Sequence, residues 1–281
     1  MTMPVVRTIA DLRVSVAAFR RAGQRVGLVP TMGALHAGHL ALIAAAKERG
    51  LKTVATIFVN PRQFAPTEDL ATYPRDEAGD LAKLDGAGTD LLFAPDVAQI
   101  YPPGFATSVS VTGITEPLCG ASRPHYFGGV ATVVTKLLLQ ALPDMAFFGE
   151  KDFQQLQVIR RFARDLDIPV EIVGVPIVRE ADGLAMSSRN RYLSPTERRI
   201  AGHLPRILHA LAADLADGKP AAARLIQARI DLLAAGIDKI DYLDLCETEG
   251  LQSIPTATPP CRLFAAVFIG GTRLIDNWPV L

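Results

Sequence analysis

Charge of either sign is in no excess in this sequence. Lys and Arg total 29, Asp and Glu total 29, and the formal net charge over 281 residues is zero. Nucleic acid and anionic membrane surfaces select a basic footprint, so neither is expected as a partner. Cysteine is scarce. Cys119, Cys246 and Cys261 are odd in number, far apart, and form no CxxC pair. They supply no disulfide framework, and a reducing cytoplasmic compartment is the simplest expectation. Long apolar runs are missing too. The best is "LFAAVFI", Leu263 to Ile269, which is too short to span a bilayer and reads as a buried strand. The opening "MTMPVVRTIADLRVSV" lacks an apolar core of signal-peptide length, so no secretory leader is expected.

What remains is an ordinary globular composition, 49% apolar and 21% charged, with length for one large or two modest cores. Short aliphatic runs at 26–29, 53–59, 90–94, 145–148 and 170–175 alternate with helical patterns at 40–49, 75–84, 130–142 and 153–166. That alternation predicts right-handed βαβ units and an α/β fold with a Rossmann-like open parallel sheet. "SVSVTG", Ser108 to Gly113, alternates polar and apolar and suggests a side strand. After Val178 the chain turns polar. Two helices are expected next, 195–216 with Ser194 as N-cap and Pro195 first, and 221–235. Three strands follow around "DYLDLCE", "RLFAAVFIG" and "TRLIDN". The expected domains are therefore 1–185, Rossmann-like, and 186–281, smaller and α+β.

The stretch "VPTMGALHAGHLALI" falls on the first strand-to-helix turn. Ligands of an open parallel sheet bind outside the carboxyl ends of its strands. Exposed N–H groups and the dipole at a helix start favour phosphate, and Gly33 and Gly38 permit close backbone approach. His36 and His39, at i and i+3, share one helix face. A helical zinc pair needs i, i+4 spacing with a Glu between, so zinc is disfavoured, while two plain capping histidines remain an alternative. Three other stretches weigh against that alternative. "FFGEKDFQQLQVIRR" puts Lys151 at another such turn, "IFVNPRQFAP" ends the second strand with Asn60 and Gln63, and "AMSSRNRYLS" offers hydroxyls and arginines on a polar loop. Taken singly, they are a solvated lysine, a Pro-fixed turn and an N-cap. Together they sit where a phosphate-binding sheet would need them.

HxGH after the first strand, with a late Ser-Ser-Arg loop, resembles the HIGH-type nucleotidyltransferase superfamily. "LVPTMGALHAGH", "IFVNPRQFAPTEDLATYPR", "FGEKDFQQLQVIRR", "GVPIVREADGLAMSSRNRYLS" and "TRLIDN" together resemble the pantothenate synthetase (pantoate–β-alanine ligase) family over essentially the whole chain. The resemblance implies condensation of (R)-pantoate with β-alanine at the expense of ATP, through a pantoyl adenylate, in pantothenate and coenzyme A biosynthesis. It implies ATP binding by Met32, Gly33, Ala34, Leu35, His36, Ala37, Gly38 and His39, with His39 as catalytic proton donor. It extends ATP binding to Gly149, Glu150, Lys151 and Asp152, to Val178, and to Met186, Ser187, Ser188 and Arg189. Gln63 is implied for pantoate and β-alanine, and Gln155 for pantoate. Mg²⁺ is implied alongside ATP, with no protein metal site of its own, and a homodimer through the N-terminal domain. Where the family pattern has Gly-His, this chain has His125 and Tyr126. A His is less tolerant than Gly of positive φ, so an altered turn is expected there. Two rivals carry other expectations. A transferase of AMP to a phosphorylated acceptor would want Arg or Lys near Gln63 and Gln155. A nucleotide-sensing module would bind ATP without turnover.

Overall fold

The computed structural model describes residues 3–66 and 68–281. In chain order the elements are β1 (Val5–Val6), α1 (Ile9–Arg21), β2 (Val26–Thr31), α2 (Ala37–Glu48), β3 (Lys52–Ile57), α3 (Glu77–Gly86) and β4 (Leu91–Phe93). Then come α4 (Val97–Ile100), α5 (Cys119–Ser122), α6 (Tyr126–Ala141), β5 (Met145–Gly149), α7 (Phe153–Asp165) and β6 (Glu171–Val175). The last are α8 (Pro195–Ala201), α9 (His203–Ala216), α10 (Ala221–Ala234), β7 (Lys239–Glu247), β8 (Cys261–Ile269) and β9 (Thr272–Val280). Two compact units result. The first is Met1–Thr112, Arg123–Glu150 and Gln155–Pro176, and the second is Gly113–Ser122, Lys151–Gln154 and Ile177–Leu281.

The first unit holds a six-stranded parallel sheet in the order β1-β4-β3-β2-β5-β6. Val29, Ala55, Leu92, Phe147 and Val173 form one buried face and pack on Leu42, Ile43 and Ala46 of α2 and Leu84 of α3. The alternate residues Leu28, Val54 and Ala146 are buried as well, which is why these strands read as continuous apolar runs. Winding reverses between β2 and β5, the switch point where such sheets bind ligands. Among the described residues, β2 and β5 pair only at Gly27↔Met145 and Leu28↔Ala146. Beyond those pairs the two strands part, and Pro30, which has no N–H to give, sits in the parted stretch of β2.

The second unit builds the antiparallel sheet β7-β8-β9. Leu243, Leu245, Leu263, Ala265 and Val267 of that sheet bury against Leu204, Leu208, Leu211 and Leu215 of α9 and Leu232 of α10. Gly270 and Gly271, both at positive φ, make the two-residue turn between β8 and β9.

Two local expectations are overturned. The single helix over 195–216 is two helices, broken at Gly202. Pro205 explains the break: it offers no N–H to the Ala201 carbonyl and its ring would crowd that oxygen, so it is tolerated only in the first turn of a new helix. Ser108–Gly113 is no strand. Its Val109 N–H donates to Thr132 Oγ1 at 3.0 Å, a side-chain partner where a sheet edge would have supplied backbone. His125 takes an ordinary right-handed backbone, φ −89° and ψ −14°, a conformation that asks for no glycine.

Candidate active site

The turn from β2 into α2 is over-determined. Thr31 Oγ1 donates to Thr56 O at 2.6 Å and accepts from Gly33 N at 3.1 Å. Gly33 and Ala34 both take positive φ, +79° and +51°. For Ala34 that conformation costs about 1–2 kcal/mol. Asp80 of α3 holds it in place: Oδ2 accepts from Ala34 N at 2.7 Å and Oδ1 from Leu35 N at 2.8 Å. The Asp80 residue is 1% exposed. A side chain in place of Gly33 would also meet Asp80 Oδ2 at 3.0 Å, so glycine is required there on two counts.

His36 and His39 cap α2 reciprocally. Gly38 N donates to His36 Nδ1 at 3.2 Å, and His36 N donates to His39 Nδ1 at 3.3 Å. The ring centroids lie 4.2 Å apart. Capping and phosphate binding are therefore not alternatives. Each Nδ1 accepts a backbone N–H, so each neutral ring carries its proton on Nε2. The ring donor of each is then Nε2–H, near the N–H groups at the helix start.

Gln63 stands on the short 3-10 turn Pro61–Gln63 after β3. Asn60 fixes its amide. Asn60 Oδ1 accepts from Arg62 N at 3.3 Å and from Tyr101 Oη at 2.8 Å, and burial pushes the Tyr101 hydroxyl up to about 12, so it stays protonated. Asn60 Nδ2 then donates to Gly129 O and to Gln63 Oε1, both at 3.1 Å. The orientation is fixed at both ends by main-chain groups whose roles cannot invert. Gln63 consequently turns Nε2 outward, 3.0 Å from Met32 Sδ. This links Gln63 to the β2–α2 turn. Gln155 of α7 accepts from Tyr126 Oη at 2.9 Å through Oε1. On the other side of the switch point Gly149 ends β5 and Glu150 opens the 3-10 turn that follows.

In the second unit Lys151 and Asp152 continue the 3-10 turn, with Lys151 Nζ 3.8 Å from Asp152 Oδ2. Asn277 Nδ2 holds the Lys151 carbonyl at 2.9 Å. Val178 and Met186 face each other across a small hairpin, Met186 N donating to Val178 O at 3.0 Å. Arg179 beside Val178 makes two bonds to the buried Asp276, at 2.7 and 2.9 Å. Ser187 caps the 3-10 turn Ser188–Tyr192 that carries Arg189.

Sequence reasoning missed Asp80, Arg123, Tyr126, Asp276 and Asn277 as supports. Asp80 reads as a solvated helix residue, and nothing nearby signals that it reaches back to residues 34 and 35. Asp276 and Asn277 could have been suspected, because two polar residues set between Ile275 and Trp278 need partners when the strand is buried. Among the described residues no three His, Cys, Asp or Glu side chains gather as a metal-binding group, and no helix is long and apolar enough to cross a membrane.

Comparison with known proteins agrees over the whole chain. The family model for pantoate-beta-alanine ligase matches residues 4–279. The pantothenate synthetase of Rhizorhabdus wittichii is 60% identical over 278 residues, covering 99% of each chain. The crystal structure of pantothenate synthetase from Thermus thermophilus superposes with TM-score 0.94 at 48% identity and covers 99% of each chain. That of the Francisella tularensis pantoate-beta-alanine ligase, complexed with beta-gamma ATP and beta-alanine, gives 0.84 at 33% identity, covering 99% of this chain and 98% of its own. With sequence and fold in agreement, the chain belongs to the pantoate–β-alanine ligase family.

Proposed function

We propose that the protein condenses (R)-pantoate and β-alanine with ATP to give pantothenate, AMP and pyrophosphate. One pantoate carboxylate oxygen attacks the α-phosphorus of ATP, and the bond to the β-phosphate oxygen breaks to release pyrophosphate. The β-alanine amine then attacks the acyl carbon of the pantoyl adenylate, loses a proton, and AMP leaves. Carboxylate and amine do not condense favourably in water, and the adenylate overcomes this. The protein's part is positioning and charge stabilisation.

The observation that carries this assignment is the contact between Gln63 and Met32. It sets a neutral amide donor, suited to a hydroxyl and a carboxylate, against a turn built for phosphate. The first step needs that adjacency. His36 and His39 donate through Nε2 to phosphate oxygens, and His39 supplies the proton-bearing group nearest the reacting phosphorus. Gln155 holds pantoate, and Gln63 contacts both pantoate and β-alanine. Main-chain groups of Met32–His39 and Gly149–Asp152, together with Val178 and Met186–Arg189, are assigned to ATP, Lys151 and Arg189 to its phosphates. Mg²⁺ accompanying ATP would neutralise charge on the triphosphate. Reluctant to shed its waters, it would take phosphate oxygens and water as ligands rather than a protein cage. A homodimer through the first unit and a cytoplasmic location complete the assignment.

Pantoate alone, without β-alanine, should support exchange of labelled pyrophosphate into ATP. Absence of exchange with pantoate present overturns the adenylate route.

A further inference from the structure

The two site glutamines are joined through one arginine. Arg123 grips Glu68 with Nε at 2.6 Å and Nη2 at 2.7 Å, and Nη2 also donates to the Gln63 carbonyl at 3.2 Å. The same guanidinium lies over the Tyr126 ring, its carbon 3.9 Å from the ring centre. Tyr126 is the first residue of α6, and its hydroxyl meets Gln155 Oε1 at 2.9 Å. The first turn of α6 is itself locked to the Gln63 turn. A Cβ on Gly129 would run into the Arg62 carbonyl, and the Gly129 carbonyl accepts from Asn60 Nδ2.

A terminal amide can rotate to present either oxygen or nitrogen. Gln63 is denied that choice by Asn60. Gln155 meets a phenol, which could either donate or accept. The cation over the ring decides the matter: it draws electron density from the phenol and strengthens its O–H as a donor. We infer that Tyr126, with Arg123 stacked on it, is a positioning residue that holds the Gln155 amide with Nε2 toward pantoate. Both site glutamines then present N–H donors, a matched pair for the hydroxyl and carboxylate oxygens of a 2-hydroxy acid. The inference rests on the assignment of Gln155 to pantoate.

The test is Tyr126→Phe in the full-length protein, which keeps the ring and its stacking and removes only the hydroxyl. An amide freed to rotate should raise the pantoate KM about tenfold, the effect of one lost hydrogen bond. kcat and the KM values for ATP and β-alanine should stay within about twofold. In a Gln155→Ala background the same change should add nothing, because two residues acting through one contact are not additive. An unchanged pantoate KM in Tyr126→Phe, or an equal rise in both backgrounds, overturns the positioning role. If Gln155→Ala itself leaves the pantoate KM unchanged, the assignment of Gln155 falls, and the inference with it. A thermal midpoint within about 3 °C of the parent shows that the variant is folded.

Discussion

Replacing Asp80 by Asn should damage both stability and catalysis, although Asp80 itself is assigned no substrate contact. The carboxylate accepts from Ala34 N at 2.7 Å and Leu35 N at 2.8 Å, and the residue is 1% exposed. Asparagine keeps one acceptor and turns its NH₂ toward the other N–H. One charge-assisted bond is lost and the second weakened, which costs about 2–4 kcal/mol. Ala34 then loses what holds it at φ +51° and can relax, relieving about 1–2 kcal/mol of strain and moving the turn. A shift of an ångström in a binding turn lowers kcat/KM for ATP about a hundredfold. Urea unfolding curves and steady-state kinetics measure the two effects. The control is Lys83→Met. Lys83 Nζ is 3.5 Å from Asp80 Oδ1 but its side chain is 40% exposed, so its loss should cost under about 1 kcal/mol. Two outcomes would overturn this role for the carboxylate. One is a stability loss in Asp80→Asn below about 0.5 kcal/mol with normal kinetics. The other is Lys83→Met matching Asp80→Asn, since the carboxylate would then matter only as an ion-pair partner.

His39→Ala should cut kcat by about two to three orders of magnitude and, because its ring caps the His36 N–H, also cost about 1 kcal/mol of stability; kinetics and a thermal melt separate the two. Gly129→Ala should destabilise by about 1–3 kcal/mol and raise KM for pantoate and β-alanine together, since the new Cβ displaces the Arg62 carbonyl beside Gln63. Burial pushes the Asp90 carboxyl up, but the Lys52 ammonium at 2.7 Å and Thr53 outweigh it, so its pKa ends below the ordinary 3.8. A depressed carboxylate contributes stability above its unfolded pKa and loses it as pH falls through the folded value. The advantage of the parent over Lys52→Met should therefore be full at neutral pH and shrink below about pH 4; a constant gap in urea midpoints across that range would contradict the pairing.

The parallel sheet was legible because strands buried on both faces spell themselves as aliphatic runs, as Val26–Val29 and Thr53–Val59 do. The candidate site was legible where chemistry and turn coincide, at His36, His39, Gln63 and Lys151. What was hidden falls into two kinds. Pro205 was read as one residue among many in a helical period, although its missing N–H decides where α9 begins. Asp80, Arg123 and Asp276 act across long sequence separations. Their charged side chains read as surface until the fold brings Leu35, Gln63 or Arg179 to them. The two segments of the second unit taken from 113–122 and 151–154 were likewise invisible, because composition changes only after Val178 while contacts follow topology.

The short pairing between β2 and β5 has a consequence for amide exchange. Val29–Thr31 and Phe147–Gly149 each keep a neighbour on their outer side, β3 and β6, but among the described residues none of these pairs across the parted stretch. Main-chain groups facing that gap are shielded by whatever occupies it rather than by a sister strand. In β2 the residue turned to that gap is Pro30, which has no N–H, so it is the gap-side amides of Phe147–Gly149 that should exchange faster than that of Leu28, and slow when ATP and pantoate fill the cleft. Ligand then does at one end of the sheet what hydrogen-bonded strands do at the other, so occupancy of the site registers as order in the scaffold.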